Sequence, residues 1–123
     1  MTTMNPNLAY YVIPGLRRNA PINHNDIIFF VCDYFEMTRD ELFARNRARK
    51  VREARFMCFV MMRHYTTMTL KAIGQVFKLD HTTIIHGITT HGNLMDTEEN
   101  YKERYQEMQF LLKIKRQATT NAK

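Results

Sequence analysis

The chain has 123 residues, enough for one domain with a buried core, and its 18 lysines and arginines exceed its 12 aspartates and glutamates, giving a net charge of +6. A basic balance favours an acidic partner. The sequence shows neither a secretory signal nor an apolar run long enough to span a membrane, so we expect a cytoplasmic protein that is neither exported nor membrane-embedded.

The N-terminal segment, residues 1–22, contains all 3 prolines of the chain. Because proline removes a backbone donor and fixes φ, this segment is predicted to be an extended or disordered arm. The folded domain is expected over residues 23–117, and a frayed tail over 118–123.

Two helices and then a longer one are predicted after the arm. Asn25 is expected to cap the first helix, which runs to about Glu36. Thr38 opens a single-turn helix, because Glu41 three residues later completes a capping box. The long helix spans about Val51 to Tyr65, and its apolar middle is expected to be the buried centre of the domain.

A dense basic segment, Arg45 to Arg55, lies between the short helix and the long one. It reads RNRARKVREAR, with six positive residues and one negative residue, which amounts to +5 of the chain's +6. Arginine binds phosphate through two hydrogen bonds and fits narrow minor grooves, so the segment favours salt-sensitive binding to nucleic acid. A solvated face is the ordinary alternative, and an acidic membrane surface is disfavoured because no strongly amphipathic basic helix accompanies the segment.

The long helix extends this basic surface. At about 100° per residue, Arg52, Arg55 and Arg63 fall within a stripe of about 80°. Ordinary solubilising charge is the alternative explanation, most of all for Arg63.

The following segment is predicted to form two short helices. Thr69 is expected to cap the first, and four apolar residues share one face of it: Leu70, Ile73, Val76 and Phe77. Lys78 and Leu79 link this helix to Asp80, which caps the second. Two short helices with a tight connection are typical of a helix-turn-helix, although a helix pair without a ligand has the same spacing.

The second helix begins with DHTTIIH, residues 80–86. His81, Thr82 and Thr83 occupy its first turn, where unpaired N–H groups and the positive end of the helix dipole attract phosphate. An aspartate can accept a hydrogen bond from a cytosine amine, and a threonine methyl can contact a thymine methyl. Three isoleucines are expected to hold this helix against the core: Ile84, Ile85 and Ile88.

A last helix is predicted near the C-terminus. Gly92-Asn93 indicates the end of the preceding helix, and Asp96 or Thr97 is expected to cap the last one. Four residues follow 4-3-4 spacing along it: Tyr101, Tyr105, Met108 and Leu112. This seam is either core or a homodimer contact, and core packing is favoured because so small a domain needs the cover.

Catalysis has little support in the sequence. His81, His86 and His91 are spaced by five, so successive rings lie about 140° apart on a helix and cannot converge on a metal. No H-E-x-x-H motif and no nucleophile with a nearby base is recognisable. Cys32 and Cys58 sit in apolar runs and are expected to be buried thiols. We expect no enzyme, cofactor or metal.

Together these features resemble one known family. Residues about 25–112 look like the C-terminal DNA-binding domain of the bacterial chromosomal replication initiator DnaA, through LxxIGxxF from Leu70 to Phe77 and DHTTIIH from Asp80 to His86. Arg47-Ala48-Arg49 and Arg55 fit that family's basic loop and following helix. The resemblance implies a compact all-α fold of about five to six helices with a helix-turn-helix.

The resemblance also implies roles for individual residues. Arg47 would enter the minor groove, whereas Arg49, Arg55 and Arg63 would hold phosphates or flank the groove. Residues 70 and 71 would meet the DNA backbone, and residues 80–83 would face the major groove. The candidate DNA-binding residues are Arg45, Arg47, Arg49, Lys50, Arg55, Arg63, Leu70, Lys71, Lys78, Asp80, His81, Thr82 and Thr83.

The chain departs from the family pattern at three points. The link before Asp80 is one residue shorter and lacks a base-adjacent arginine, which Lys78 would replace in part. Glu53-Ala54 stands where the family has a basic residue and a proline, and Glu53 is expected to repel phosphate. No G-x-x-x-x-G-K-[ST] motif occurs, and the chain is too short for the family's ATPase module.

We therefore expect a freestanding initiator-type domain at the nucleoid that binds double-stranded DNA, as an accessory replication-initiation factor or a transcriptional regulator. Replication or transcription proteins would be further partners, and the C-terminal helix would offer a homodimer contact. The alternative is a protein-interaction module that retains the fold and has lost specific DNA binding.

Overall fold

The computed structural model describes residues 22–45 and 47–121, with side chains described as far as residue 116. This part of the chain forms helices and no strand: α1 His24–Phe35, α2 Arg39–Phe43, α3 Arg49–Tyr65, α4 Leu70–Phe77, α5 His81–Thr97 and α6 Glu99–Asn121. The predicted all-α class is confirmed. None of these helices is both long enough and apolar enough to cross a membrane. Residues 1–21 of the predicted arm lie outside the described residues.

Local capping signals set the first two helices. α1 begins after Asn23, whose side-chain oxygen accepts a hydrogen bond from the Asn25 N–H at 2.8 Å, so the prediction that Asn25 is the cap is wrong by two residues. The predicted capping box of α2 is confirmed. Thr38 Oγ1 accepts from the Glu41 N–H at 3.1 Å, and Glu41 Oε1 accepts from the Thr38 N–H at 2.9 Å.

Ile22 is part of the core, although the sequence pattern assigned it to the arm. Its side chain is buried, and its N–H donates to the Tyr65 carbonyl at 3.1 Å. This bond joins the chain ahead of α1 to the end of α3.

α3 is the central helix, and it packs against α1, α2, α4 and α5. The predicted burial of its middle is confirmed, because five residues there are wholly inaccessible: Ala54, Met57, Cys58, Met61 and Met62. Cys32 and Cys58 are both buried and free, as predicted. Burial raises the pKa of the Cys58 thiol well above its usual value, which suits a packing role rather than a reactive one.

The C-terminal half differs from the predicted boundaries. α5 continues through Gly92-Asn93 to Thr97, so the predicted stop is wrong, and α6 begins at Glu99 rather than after Asp96 or Thr97. Gly92 lies in open space and closes no turn. Buried His91 and half-buried Leu94 and Met95 keep this part of α5 packed, which offsets the cost of about 1 kcal/mol for a glycine in a helix.

The α6 seam belongs to the core. Its four residues are buried within the monomer: Tyr101, Tyr105, Met108 and Leu112. The preferred interpretation, core packing rather than a dimer contact, is therefore confirmed. The helix itself runs on to Asn121, past the predicted end of the folded domain at 117.

α5 lies close to α3 because Gly87 has no side chain. A Cβ at Gly87 would lie 2.7 Å from the Phe59 ring, closer than real carbon contacts allow. Ile84 is fully buried and Ile88 is partly buried, but Ile85 is 43% exposed, so the prediction that it packs on the core is wrong. Gly87, which meets α3, lies about 160° around the helix from Ile85, so Ile85 points away from α3.

The two glycines of α5 provide a matched test of this packing. We expect Gly87→Ala to lower the free energy of unfolding by about 1–3 kcal/mol, because the added methyl overpacks the Phe59 contact. Gly92→Ala should instead raise it by up to about 1 kcal/mol, because nothing opposes the better helix former there. Urea unfolding followed by circular dichroism measures both, and equal stability of the two variants would contradict the packing described here.

Candidate nucleic-acid interface

α4 and α5 form the predicted helix-turn-helix, and the two-residue link Lys78-Leu79 closes it. Lys78 adopts the left-handed conformation at φ 56° and ψ 43°. The Leu79 N–H donates to the Gly74 carbonyl at 2.8 Å, and the Lys78 N–H donates to the Gln75 carbonyl at 3.3 Å. These bonds form a Schellman motif, which ends α4 and turns the chain at once toward α5.

Gly74 is a sterically required residue of this turn. A Cβ there would lie 2.5 Å from the Leu79 carbonyl oxygen, so no other residue fits without moving the backbone. The short Lys78-Leu79 link and Gly74 therefore work together to set the angle between α4 and α5.

The first turn of α5 presents the predicted polar cluster to solvent. Asp80 is the N-cap, as predicted, and its side-chain oxygen lies 3.5 Å from the Thr82 nitrogen and 3.0 Å from His81 Nδ1. His81, Thr82 and Thr83 are all exposed. The helix start thus offers a carboxylate, an imidazole and two hydroxyls on one accessible surface.

The basic segment lies beside the turn of the helix-turn-helix. A groove between α2 and the end of α4 is lined by Arg45 and Arg55 on one side and by Lys78 and Leu79 on the other. Four further candidate residues are exposed: Arg47, Arg49, Lys50 and Lys71. Leu70 is half-buried. Folding therefore brings the start of the basic segment next to the link that precedes α5.

Two of the predicted phosphate-binding arginines contact backbone carbonyls. Arg55 Nε donates to the Leu42 carbonyl at 2.7 Å and a second guanidinium nitrogen donates to the Ala44 carbonyl, while burial lowers the pKa of Arg55. Arg63 Nη1 donates to the Met68 carbonyl at 3.0 Å. Both side chains fix chain connections, at the end of α2 and between α3 and α4. Their contact with phosphate stays a prediction.

Glu53 does not face the solvent, so the expectation that it repels phosphate is wrong. Glu53 is 4% exposed, and its carboxylate pairs with Arg49 at 2.9 Å and with Arg104. Arg49 also reaches Glu98, at 3.1 Å. The hydrogen bond with Glu53 is the main reason that the pKa of Arg49 is raised.

This four-residue ion network joins the start of α3 to α6, and the sequence analysis predicted none of its pairs. The i,i+4 spacing of Arg49 and Glu53 is a usable signal in the sequence. Arg104 lies 51 residues from Glu53 and Glu98 lies 49 residues from Arg49, so no local pattern pairs them.

The histidines of α5 do not form a metal site. His91 is buried with its Nδ1 2.6 Å from the Tyr101 hydroxyl, and burial lowers the pKa of its imidazole to about 4. His81 and His86 are exposed. Within residues 22–45 and 47–121, no three His, Cys, Asp or Glu side chains are grouped so as to hold a metal ion.

The chain is similar to a known family over α1 to α4 and most of α5. Residues 24–90 match the model of the bacterial dnaA protein helix-turn-helix. The chain is 26% identical over 111 residues to the chromosomal replication initiator protein DnaA of Bacteroides thetaiotaomicron, covering 88% of this chain and 24% of that relative. It is 32% identical over 97 residues to the same protein of Gloeobacter violaceus, covering 78% and 20%. The Flavobacterium psychrophilum protein is 34% identical over 92 residues, covering 74% and 19%.

The chain spans about a fifth of the length of these relatives. The matched region contains the whole basic segment, all of α4 and the first ten residues of α5.

Neutralising Glu53 tests the ion network. We expect Glu53→Gln to lower the free energy of unfolding by about 2 kcal/mol, because it removes the buried carboxylate that pairs with the partly buried Arg104 and with the exposed Arg49. Glu98→Gln removes only an exposed partner of Arg49 and should change stability by less than about 0.5 kcal/mol. Thermal and urea unfolding of both variants measure the difference, and an equal effect of the two substitutions would contradict the structural role of Glu53.

Proposed function

The chain belongs to the family of bacterial DnaA helix-turn-helix domains, and we propose that it binds double-stranded DNA through α5 and the basic segment. One observation carries the proposal: the exposed first turn of α5, with its DHTT sequence, adjoins a groove lined by Arg45 and Lys78. One side of the domain therefore carries two kinds of side chain: polar groups that could read base edges, and cations that could hold phosphates.

The dimensions of α5 suit the major groove of a duplex. A helix with its side chains is about 10–12 Å across, and the major groove is about 12 Å wide. With its first turn lowest in the groove, α5 would present Asp80, His81 and Thr82 to base edges. The adjacent basic segment would then lie over a phosphate backbone, where Arg47 would reach the minor groove.

The role we infer is that of an accessory replication-initiation factor or a transcriptional regulator that recognises a defined site and resides at the nucleoid. The relatives are named as replication initiators, and this chain corresponds to only about a fifth of their length. Replication or transcription proteins would be its further partners.

The alternative, an interaction module without specific DNA binding, has lost two of its supports. Glu53 is buried and paired, so it places no repelling charge at the surface. The tyrosine seam of α6 is covered by the domain itself, so it offers no free partner face. The shortened link remains, and it is compatible with a shifted target sequence.

The basic segment is tested by salt dependence. We expect Arg47→Ala to weaken binding to all duplexes and to lower the slope of log affinity against log salt by about 1, because one cation that displaces counterions from the DNA is lost. Lys113→Ala, a matched change of charge at an exposed site on α6, should leave the slope unchanged. Fluorescence anisotropy with a labelled duplex at several salt concentrations measures both. An equal loss for the two variants would mean that only net charge matters.

The first turn of α5 is tested by sequence selection. We expect Thr82→Ala to cost about 1–3 kcal/mol of discrimination at one base position while binding to random duplex changes little. Thr97→Ala, at the exposed far end of the same helix, should leave the selected site unchanged. Enrichment from a random duplex library is the measurement, and the absence of salt-dependent binding to any duplex would refute the proposed function itself.

A further inference from the structure

We propose that Ile85 is a specificity-determining residue that reads the methyl group of a thymine in the major groove. The inference rests on the proposed function, because it assigns a base contact to the same helix. It adds an apolar contact from the second turn of α5 to the polar contacts of its first turn.

The position of Ile85 on α5 is the first support. At about 100° per residue, Ile85 lies about 40° from His81 and about 60° from Thr82, between the two and one turn further along. His86 and Thr89 are exposed on the same side. The opposite side is buried at Ile84, Gly87 and His91, so the exposed face of α5 continues without interruption from the first turn to the second.

The exposure of Ile85 is the second support. Ile85 is 43% exposed, although the neighbouring Ile84 is completely buried. A single exposed isoleucine is common on protein surfaces and carries no meaning alone. Over residues 81–89 it is the one large apolar side chain on a face whose other exposed members are histidine and threonine.

The chemistry of the major groove identifies what an isoleucine there would contact. Base edges in that groove present hydrogen-bond donors and acceptors, together with one apolar group, the C5 methyl of thymine. An isoleucine has no group that can donate or accept a hydrogen bond, so it gains from burial against that methyl and loses against the polar edges.

The helix geometry also places the thymine. One turn of α5 advances about 5.4 Å, and successive base pairs are about 3.4 Å apart. The thymine read by Ile85 should therefore lie one or two base pairs from the position whose preference depends on Thr82.

The test removes the methyl and the isoleucine separately. A site is first selected from a random duplex library with the full chain, and each thymine in it is then replaced by deoxyuridine, which lacks only the methyl. For the unaltered protein, one such replacement should weaken binding about three- to fivefold, the equivalent of the ~0.8 kcal/mol of one buried methyl-sized group. For Ile85→Ala, the same replacement should have no effect.

Two controls separate this contact from folding. Phe110→Ala removes an exposed apolar side chain from α6 (57% exposed) and should keep the full response to deoxyuridine. Circular dichroism should show Ile85→Ala folded, because alanine is a good helix former and the site is not part of the core.

The outcomes are distinguishable. If every deoxyuridine response of the unaltered protein survives in Ile85→Ala, or if no thymine methyl matters at the selected site, the inference is overturned and DNA binding is left intact. A protein that binds no duplex in a salt-dependent manner overturns the proposed function, and the inference with it.

Discussion

The orientation of α5 depends on two close approaches that only glycine permits. At Gly74 the backbone of α4 meets the Leu79 carbonyl, and at Gly87 the backbone of α5 meets the Phe59 ring of α3. The first contact sets the turn between the two helices of the motif, and the second seats α5 on the central helix. Together they decide which side chains of α5 are buried and which face solvent, and so which of them can reach DNA.

Some of the described cations of the basic segment are bonded within the fold, and the others are exposed without such a role. Arg55 binds the carbonyls at the end of α2, and Arg49 joins the network of Glu53, Glu98 and Arg104. These bonds offset the repulsion that six nearby cations would otherwise produce. The remaining cations are exposed, including Arg52, whose guanidinium lies 5.7 Å from the centre of the Phe56 ring. Duplex DNA would thus meet a surface beside which α3 is bonded to the end of α2 and to α6.

Local patterns in the sequence predicted the elements that local interactions form. The Thr38 capping box, the Thr69 and Asp80 caps and the burial of the α3 middle depend on residues within a few positions of one another. Two predictions failed because of distant contacts, at Glu53 and at Gly92-Asn93, whereas the cap of α1 was misplaced because Asn23 offers the same side chain two residues earlier. Gly92-Asn93 resembles a helix stop, but packing around His91 and Leu94 carries α5 through it.

The candidate site shows the same limit. The polar first turn of α5 could be located from its cap, but the pairing of Glu53 with Arg104 crosses 51 residues of sequence. A charge that looks repulsive in the sequence was therefore misassigned to the surface. Ile85 was likewise assigned to the core, because an apolar run does not reveal which of two adjacent isoleucines faces inward.

The central claim is that duplex DNA lies on the face formed by α5 and the basic segment, and amide chemical-shift mapping tests it most directly. The uniformly labelled protein would be titrated with the selected duplex while its backbone amide signals are followed. The account predicts that the largest chemical-shift changes fall on the amides of residues 81–89 and 47–50, whereas the amide signals around Phe110 on α6 do not shift. Changes concentrated on α1 or α6, with the amides of the α5 first turn unaffected, would contradict it.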